Sequence, residues 1–127
     1  IVWDKLFGTG IMPRHIIESE VASYRKRVHP YGLPLDNRQP YTKSDWLIWT
    51  ATLADNRDTF EELTAPLWDA YNSTQSRVPM TDWYFTLTGL HKDYHSGSEN
   101  INKSFRNRPV VGGHFIKLLE YKGIMKI

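Results

Sequence analysis

The 127-residue sequence contains no cysteine. That excludes a disulfide framework, thiolate zinc sites, iron–sulfur clusters and a cysteine nucleophile. No apolar run approaches the ~20 residues that a membrane-spanning helix needs. No basic stretch followed by a short apolar run of the signal-peptide kind occurs. Neither sign of charge dominates: 16 Lys and Arg against 14 Asp and Glu leave a net charge of +2. That is too little for a nucleic-acid footprint, and Arg25-Lys26-Arg27 reads as a solvated helix face. Gly8-Thr9-Gly10 lacks the lysine and the later glycines of a phosphate-cradling loop. There is no Gly-x-Ser-x-Gly elbow for a serine nucleophile.

What is present is aromatic and nearly charge-balanced. Five Trp, seven Tyr and a 40% hydrophobic content exclude intrinsic disorder and can fill a single core. The length is that of one domain. The chain opens directly on Ile1-Val-Trp-Asp-Lys-Leu-Phe7, which reads as a piece of a longer polypeptide. Residues 1–127 are expected to be one segment of it.

Residues Ile1 to Phe7 read as a helix end, closed by Gly8-Thr9-Gly10. Pro13 suits a helix start, and Ile17, Val21, Tyr24 and Val28 recur as one apolar stripe. His29-Pro30 ends it. Tyr31 to Tyr41 is an irregular loop with several apolar anchors. Thr42-Lys-Ser-Asp45 has the spacing of a capping box ahead of Trp46, Trp49 and Leu53, so a helix is expected to about Ala54. Asp58 or Thr59 is expected to cap the next helix, whose stripe is Phe60, Leu63, Leu67, Ala70 and Tyr71. Pro66 inside that stripe predicts a bend or a division. From Arg77 to Gly89 the alternation of Trp83, Phe85 and Leu87 suits a short strand or extended arm. Leu90 to Asn107 reads as a long exposed excursion. Val110 to Gly113 leads into a last buried helix through Phe115, Ile116, Leu118 and Leu119, stopped near Gly123. The fold expected is all-α: antiparallel helical hairpins with long loops.

The chemistry-bearing residues cluster in those loops. Asp36, Asn37 and Arg38 lie in the first; Lys43, Asp45 and Trp46 begin a helix; Arg77, Asp82 and Trp83 lie in the second. Several carboxylates beside Trp and Tyr are what glycosidases and amide hydrolases use. One acid protonates the leaving group, another activates water, and neighbouring carboxylates push each other's pKa apart. Each also has a structural reading. Asp45 can serve as a cap, Asp36 and Asn37 as turn residues, Trp46 and Trp49 as core, and Arg38 and Arg77 as partners of carboxylates. Gly112-Gly113 suits an anion at a helix N-terminus or close helix packing. His91 and His95 have a helical metal-ligand spacing but polar loop surroundings and no following Glu.

Long stretches carry a family resemblance. Val2-Trp3-Asp4-Lys5-Leu6, Pro30 to Arg38, Tyr41 to Trp46, Arg77 to Tyr84 and Val110 to Ile116 together resemble the C-terminal part of the glutaminase A family of fungi and bacteria. The resemblance spans nearly the whole chain. It departs at Phe85, where a polar residue is usual, and at Leu90 to Asn102, which is unusually polar. It implies a large, exported, multi-domain parent whose central and C-terminal regions form a helical-hairpin toroid of the six-hairpin glycosidase type. It implies hydrolysis of L-glutamine to L-glutamate and ammonia, and it transfers no catalytic assignment. Four or five helices cannot close such a toroid, so hydrophobic faces are expected to lie exposed and to favour self-association.

Three readings follow. In the first, the chain is part of a glutaminase-like hydrolase and is inactive alone. Asp36, Asp45 or Asp82 activates water, and Arg38, Lys43 or Arg77 holds the substrate α-carboxylate, with Trp46 and Trp83 lining the pocket. In the second, the substrate is a sugar. In the third, the chain is a non-catalytic helical module that packs on the rest of its parent. None calls for a cofactor, a metal, a nucleic acid or a membrane span.

Overall fold

A computed structural model describes residues 1–76 and 79–123. Five α-helices and four short strands are found among them. Helix α1 is Val2–Phe7, α2 is Arg14–Arg25, α3 is Ser44–Ala51, α4 is Arg57–Ser73 and α5 is Ile116–Lys122. Strands β1 (Tyr41–Lys43), β2 (Trp83–Phe85), β3 (His91–Lys92) and β4 (Glu99–Asn100) form one antiparallel sheet in that order. A 3-10 helix, Pro109–Phe115, runs straight into α5. The expected all-α arrangement of helical hairpins is therefore corrected: residues read as a helix cap, an extended arm and an exposed excursion pair into a four-stranded sheet. Strand β2 falls where Trp83 and Phe85 alternate with Tyr84, whereas β1, β3 and β4 are too short for alternation to announce them.

The strongest helical period is the best retained. Helix α4 buries Leu63, Leu67 and Ala70 and runs unbroken through Pro66, so the expected division does not occur. Its cap is Asn56, whose side chain accepts from the Thr59 amide at 2.8 Å, two residues ahead of the expected position. The residues Thr42-Lys-Ser-Asp45 do not form a capping box. Thr42 and Lys43 are strand, Lys43 is the extended residue before α3, and no side chain caps the helix. Helix α3 ends at Ala51, short of the expected Ala54, in a turn. Helix α1 closes at Gly8 in the left-handed conformation, and Gly123 closes α5 in the same way.

One core joins these elements. Val2, Leu6, Leu47, Ile48, Leu53, Leu67, Ala70, Tyr84 and Ile116 are buried together, with Ile17, Val21 and Tyr24 of α2 packed against them. The last helix is less buried than its sequence suggests. Ile116 is enclosed, but Phe115 and Leu118 are exposed. Lys5 ties three elements. Its ammonium donates to the carbonyls of Thr52 (2.8 Å), Leu53 (3.3 Å) and Ala54 (3.0 Å) at the end of α3, and it pairs with Asp55 and Glu120. It thus satisfies terminal carbonyls and complements the negative end of the helix.

The sheet has two unlike faces. Thr42, Tyr84 and His91 are buried on the core side, and the Tyr84 hydroxyl donates to the Tyr31 carbonyl at 2.7 Å. Tyr41, Lys43, Trp83 and Phe85 share the other side, since side chains alternate along each strand. The segment from Leu90 to Asn107, read as an exposed excursion, is an ordered part of this sheet with His91, Asp93 and Ser104 buried. His91 Nδ1 lies 3.0 Å from Ser104 Oγ.

Two outcomes are expected. Lys5→Met lowers unfolding free energy by about 2–3 kcal/mol, because it leaves three carbonyls without their charged donor; chemical denaturation measures this. Burial lowers the pKa of His91 from 6.5 to about 4, so the fold favours the neutral ring. Its contribution is complete above pH 6.5 and is lost as pH falls toward 4. His91→Gln flattens the decline of thermal stability across that window.

Candidate functional site

Strand β1 passes into α3 between Lys43 and Ser44 with no loop. At that point the Ser44 amide donates to the Asp82 carbonyl at 2.7 Å, joining α3 to the residue just before β2. The effect is to gather Ser44, Asp45 and Asp82, all buried, beneath the 3-10 helix.

Asp82 is fully enclosed, and its carboxylate is gripped by Arg108 through both oxygens, with Nε to Oδ1 at 2.9 Å. The two-point geometry is the strongest form of such a pair. The Arg108 guanidinium also lies 3.8 Å from the centre of the Phe105 ring. Asp45 is different. Its Oδ1 is buried and has no hydrogen-bond partner among the described residues. Burial pushes its pKa above the ordinary 3.8; the Trp46 amide pulls the other way, and the charge of Asp82 adds to the rise. A buried carboxyl with one unpartnered oxygen is poised to take up or deliver a proton.

Neighbouring groups complete the cluster. His114 Nε2 lies 2.8 Å from Ser44 Oγ. Burial lowers the pKa of His114, while Asp45 and Asp82 oppose that fall. The Tyr71 hydroxyl donates to the Thr81 carbonyl at 2.9 Å. Burial is the main cause that raises its pKa to about 12, with the Ser44 hydroxyl opposing and both carboxylates reinforcing. Gly113 lies so close to α3 that a Cβ there would stand 2.8 Å from Trp49 Nε1 and 3.0 Å from Asp45 Cβ. The glycine pair therefore serves close packing, with Trp49 Nε1 donating to the Gly113 carbonyl at 3.2 Å.

The sequence candidates divide into separate places. Asp45 and Asp82 meet in the buried cluster. Lys43 and Trp83 meet on the outer face of the sheet, with the ammonium 4.6 Å from the ring centre. Asp36 and Arg38 bind each other, and Asp36 also accepts from the Arg38 amide at 2.8 Å. They line a different, open groove of about 560 Å³ beside Lys26 and His29. The Arg38 hydrogen bond holds Asp36 below the ordinary carboxylate range. Trp46 is half exposed beside Trp49, in an aromatic groove of about 290 Å³ that Trp3 also lines. Arg77 lies outside the described residues. Of the two histidines with metal-ligand spacing, His91 turns inward to Ser104, and His95 lies 4.2 Å from the Tyr94 ring. A strand and a turn separate them instead of a helical face. Among the described residues no three His, Asp or Glu side chains gather to hold a metal.

Arg108, His114, Ser44 and Tyr71 were missed as members of the cluster. Arg108 and His114 carry no local signal, because they meet Asp82 and Ser44 from 26 and 70 residues away. The available hint was Gly112-Gly113 next to His114, a segment built for close approach.

Residues 1–118 match the glutaminase A six helical-hairpin domain family. The chain belongs to that family. It is 35% identical over 118 residues to glutaminase A of Aspergillus oryzae, covering 91% of this chain and 16% of that protein. It is 37% identical over 108 residues to a probable glutaminase of Arthroderma benhamiae, covering 84% of this chain and 11% of that protein. The chain thus spans less than a fifth of the length of either relative. No solved structure matches it.

Removing Arg108 strands a buried carboxylate. Arg108→Met lowers stability by about 3–5 kcal/mol, and adding Asp82→Asn restores most of the loss. Denaturation of the two single variants and the double variant measures this coupling. A double variant no more stable than Arg108→Met alone contradicts it.

Proposed function

We propose that the chain is the part of a glutaminase-like amidohydrolase that supplies a proton-transfer carboxyl to the substrate pocket. The observation that carries this is Asp45, buried, with an unpartnered oxygen and a raised pKa. The two-point bond of Arg108 to Asp82 favours Asp45 over Asp82 for this role. Membership of the glutaminase A family and the names of the two relatives support glutamine as the substrate.

The chemistry assigned to Asp45 balances with water alone. Its carboxylate takes a proton as water attacks the side-chain amide carbon. The C–N bond then breaks, and the same proton passes from Asp45 to the departing nitrogen. The products are glutamate and ammonia. A raised pKa suits both halves of this cycle, because base strength and acid strength must serve in turn. Burial keeps the pKa of Asp45 high through the cycle, and the charge of Asp82 adds to it.

A carbohydrate substrate is the second reading. The groove between Trp3, Trp46 and Trp49 favours it, since exposed indole faces suit sugar rings.

Ammonia release from L-glutamine by the full-length protein separates these readings. Asp45→Asn is expected to lower kcat by about 100-fold or more. The acid limb of the wild-type kcat/KM profile is expected above the ordinary carboxylate pKa of 3.8, and to vanish in that variant. A folded Asp45→Asn protein with full activity refutes the assignment. Hydrolysis of glycosides with no release of ammonia favours the sugar.

A further inference from the structure

On the outer face of the sheet, Trp83 stands between two lysines. Lys43 opposes it directly on β1, and the pairing of Tyr84 with His91 sets Lys92 beside it on β3. Opposed residues of antiparallel strands share a face and stand close enough to touch. Lys43 Nζ lies 4.6 Å from the centre of the indole ring and Lys92 Nζ 4.5 Å. The two ammonium nitrogens are therefore no more than twice that distance apart. Each is attracted by the ring, but they repel one another.

The charge of Lys43 acts on Asp45, but no carboxylate among the described residues binds either ammonium. Glu99 faces Lys92 across β3 and β4, yet accepts from Thr88 Oγ1 at 2.7 Å. Asp93 accepts from the amides of His95 and Ser96. Asp82 is bound by Arg108. Among the described residues neither lysine forms an ion pair. The indole Nε1 of Trp83 is buried and has no partner among the described residues. Phe105, stacked parallel to Trp83 at 6.0 Å, walls the place on another side. The result is two ammonium groups without a bound carboxylate among the described residues, beside an apolar wall.

We propose that Lys43 and Lys92 clasp the carboxylate of a small ligand against Trp83, and that this is where the α-carboxylate of an amino-acid substrate is held. The carboxylate site stands on the lysine geometry; its assignment to the substrate rests on the glutaminase reading above. Lys43 lies near enough to Asp45 for its charge to lower the pKa of that carboxyl, although the two side chains leave the join in different directions. Lys92 is thereby a substrate-binding residue that its loop-like sequence context conceals.

The test is calorimetric titration of the full-length protein at low ionic strength with L-glutamine, with L-glutaminamide, whose α-carboxylate is an uncharged amide, and with glutarate. L-Glutamine and glutarate are expected to bind, and L-glutaminamide to bind at least tenfold more weakly than L-glutamine. Lys43→Met and Lys92→Met are expected to weaken the two carboxylates at least tenfold, Lys92→Arg to recover most of the loss, and Lys122→Met, on a distant helix, to change nothing. Matching thermal melts establish that the variants fold. Binding that neither lysine substitution weakens, or equal binding of L-glutamine and L-glutaminamide, overturns the proposal. Lysine-dependent binding of glutarate without binding or hydrolysis of L-glutamine supports the carboxylate site while removing the glutaminase reading.

Discussion

Strand β1 turns into helix α3 with no residues between them, and that join fixes where the charged groups lie. A strand alternates its side chains, whereas a helix turns them by about 100° per residue. Successive residues across the join therefore point in different directions. Lys43, the last of the strand, goes to the outer face of the sheet with Trp83. Ser44 and Asp45, the first of the helix, go inward beneath Gly113 and His114. The Ser44 amide, left without a helical partner as the first in its helix, bonds to the Asp82 carbonyl and locks the second loop to the first.

The two carboxyls gathered there are treated unequally. Asp82 receives a guanidinium, so its charge is matched where water cannot reach it. Asp45 receives none, and burial favours its protonated form. That arrangement costs stability as pH rises above 3.8, because ionisation is easier in the unfolded chain. A cost of this kind is characteristic of groups kept for chemistry. The outer face of the sheet shows the opposite imbalance, with ammonium groups over Trp83 and no carboxylate among the described residues bound to them.

Local pattern carried some of this and tertiary pairing the rest. Helix α4 was legible because 17 residues repeat one apolar stripe, and β2 because Trp83 and Phe85 alternate with Tyr84. Strands β1, β3 and β4 were not, since two or three residues show no period. Thr42-Lys-Ser-Asp45 misleads because a capping box and a strand entering a helix can share the same polar residues. Asp45 and Asp82 are legible as chemistry-bearing carboxyls, and their closeness follows from the two loops meeting. Arg108 and Lys92 are not, because each acquires its neighbours only when the strands pair. Asp36 and Arg38 have the right residue types, but two residues of separation let them satisfy each other.

The central claim is that Asp45 is a buried carboxyl with an unpartnered oxygen, beside a carboxylate paired with Arg108. Carbon-detected NMR titration of the Asp45 side chain tests it directly. The predicted midpoint lies above 3.8 in the folded chain and returns to the ordinary value in denaturant. A folded-state midpoint at or below 3.8 contradicts it, for then a partner holds Asp45 as firmly as Arg108 holds Asp82.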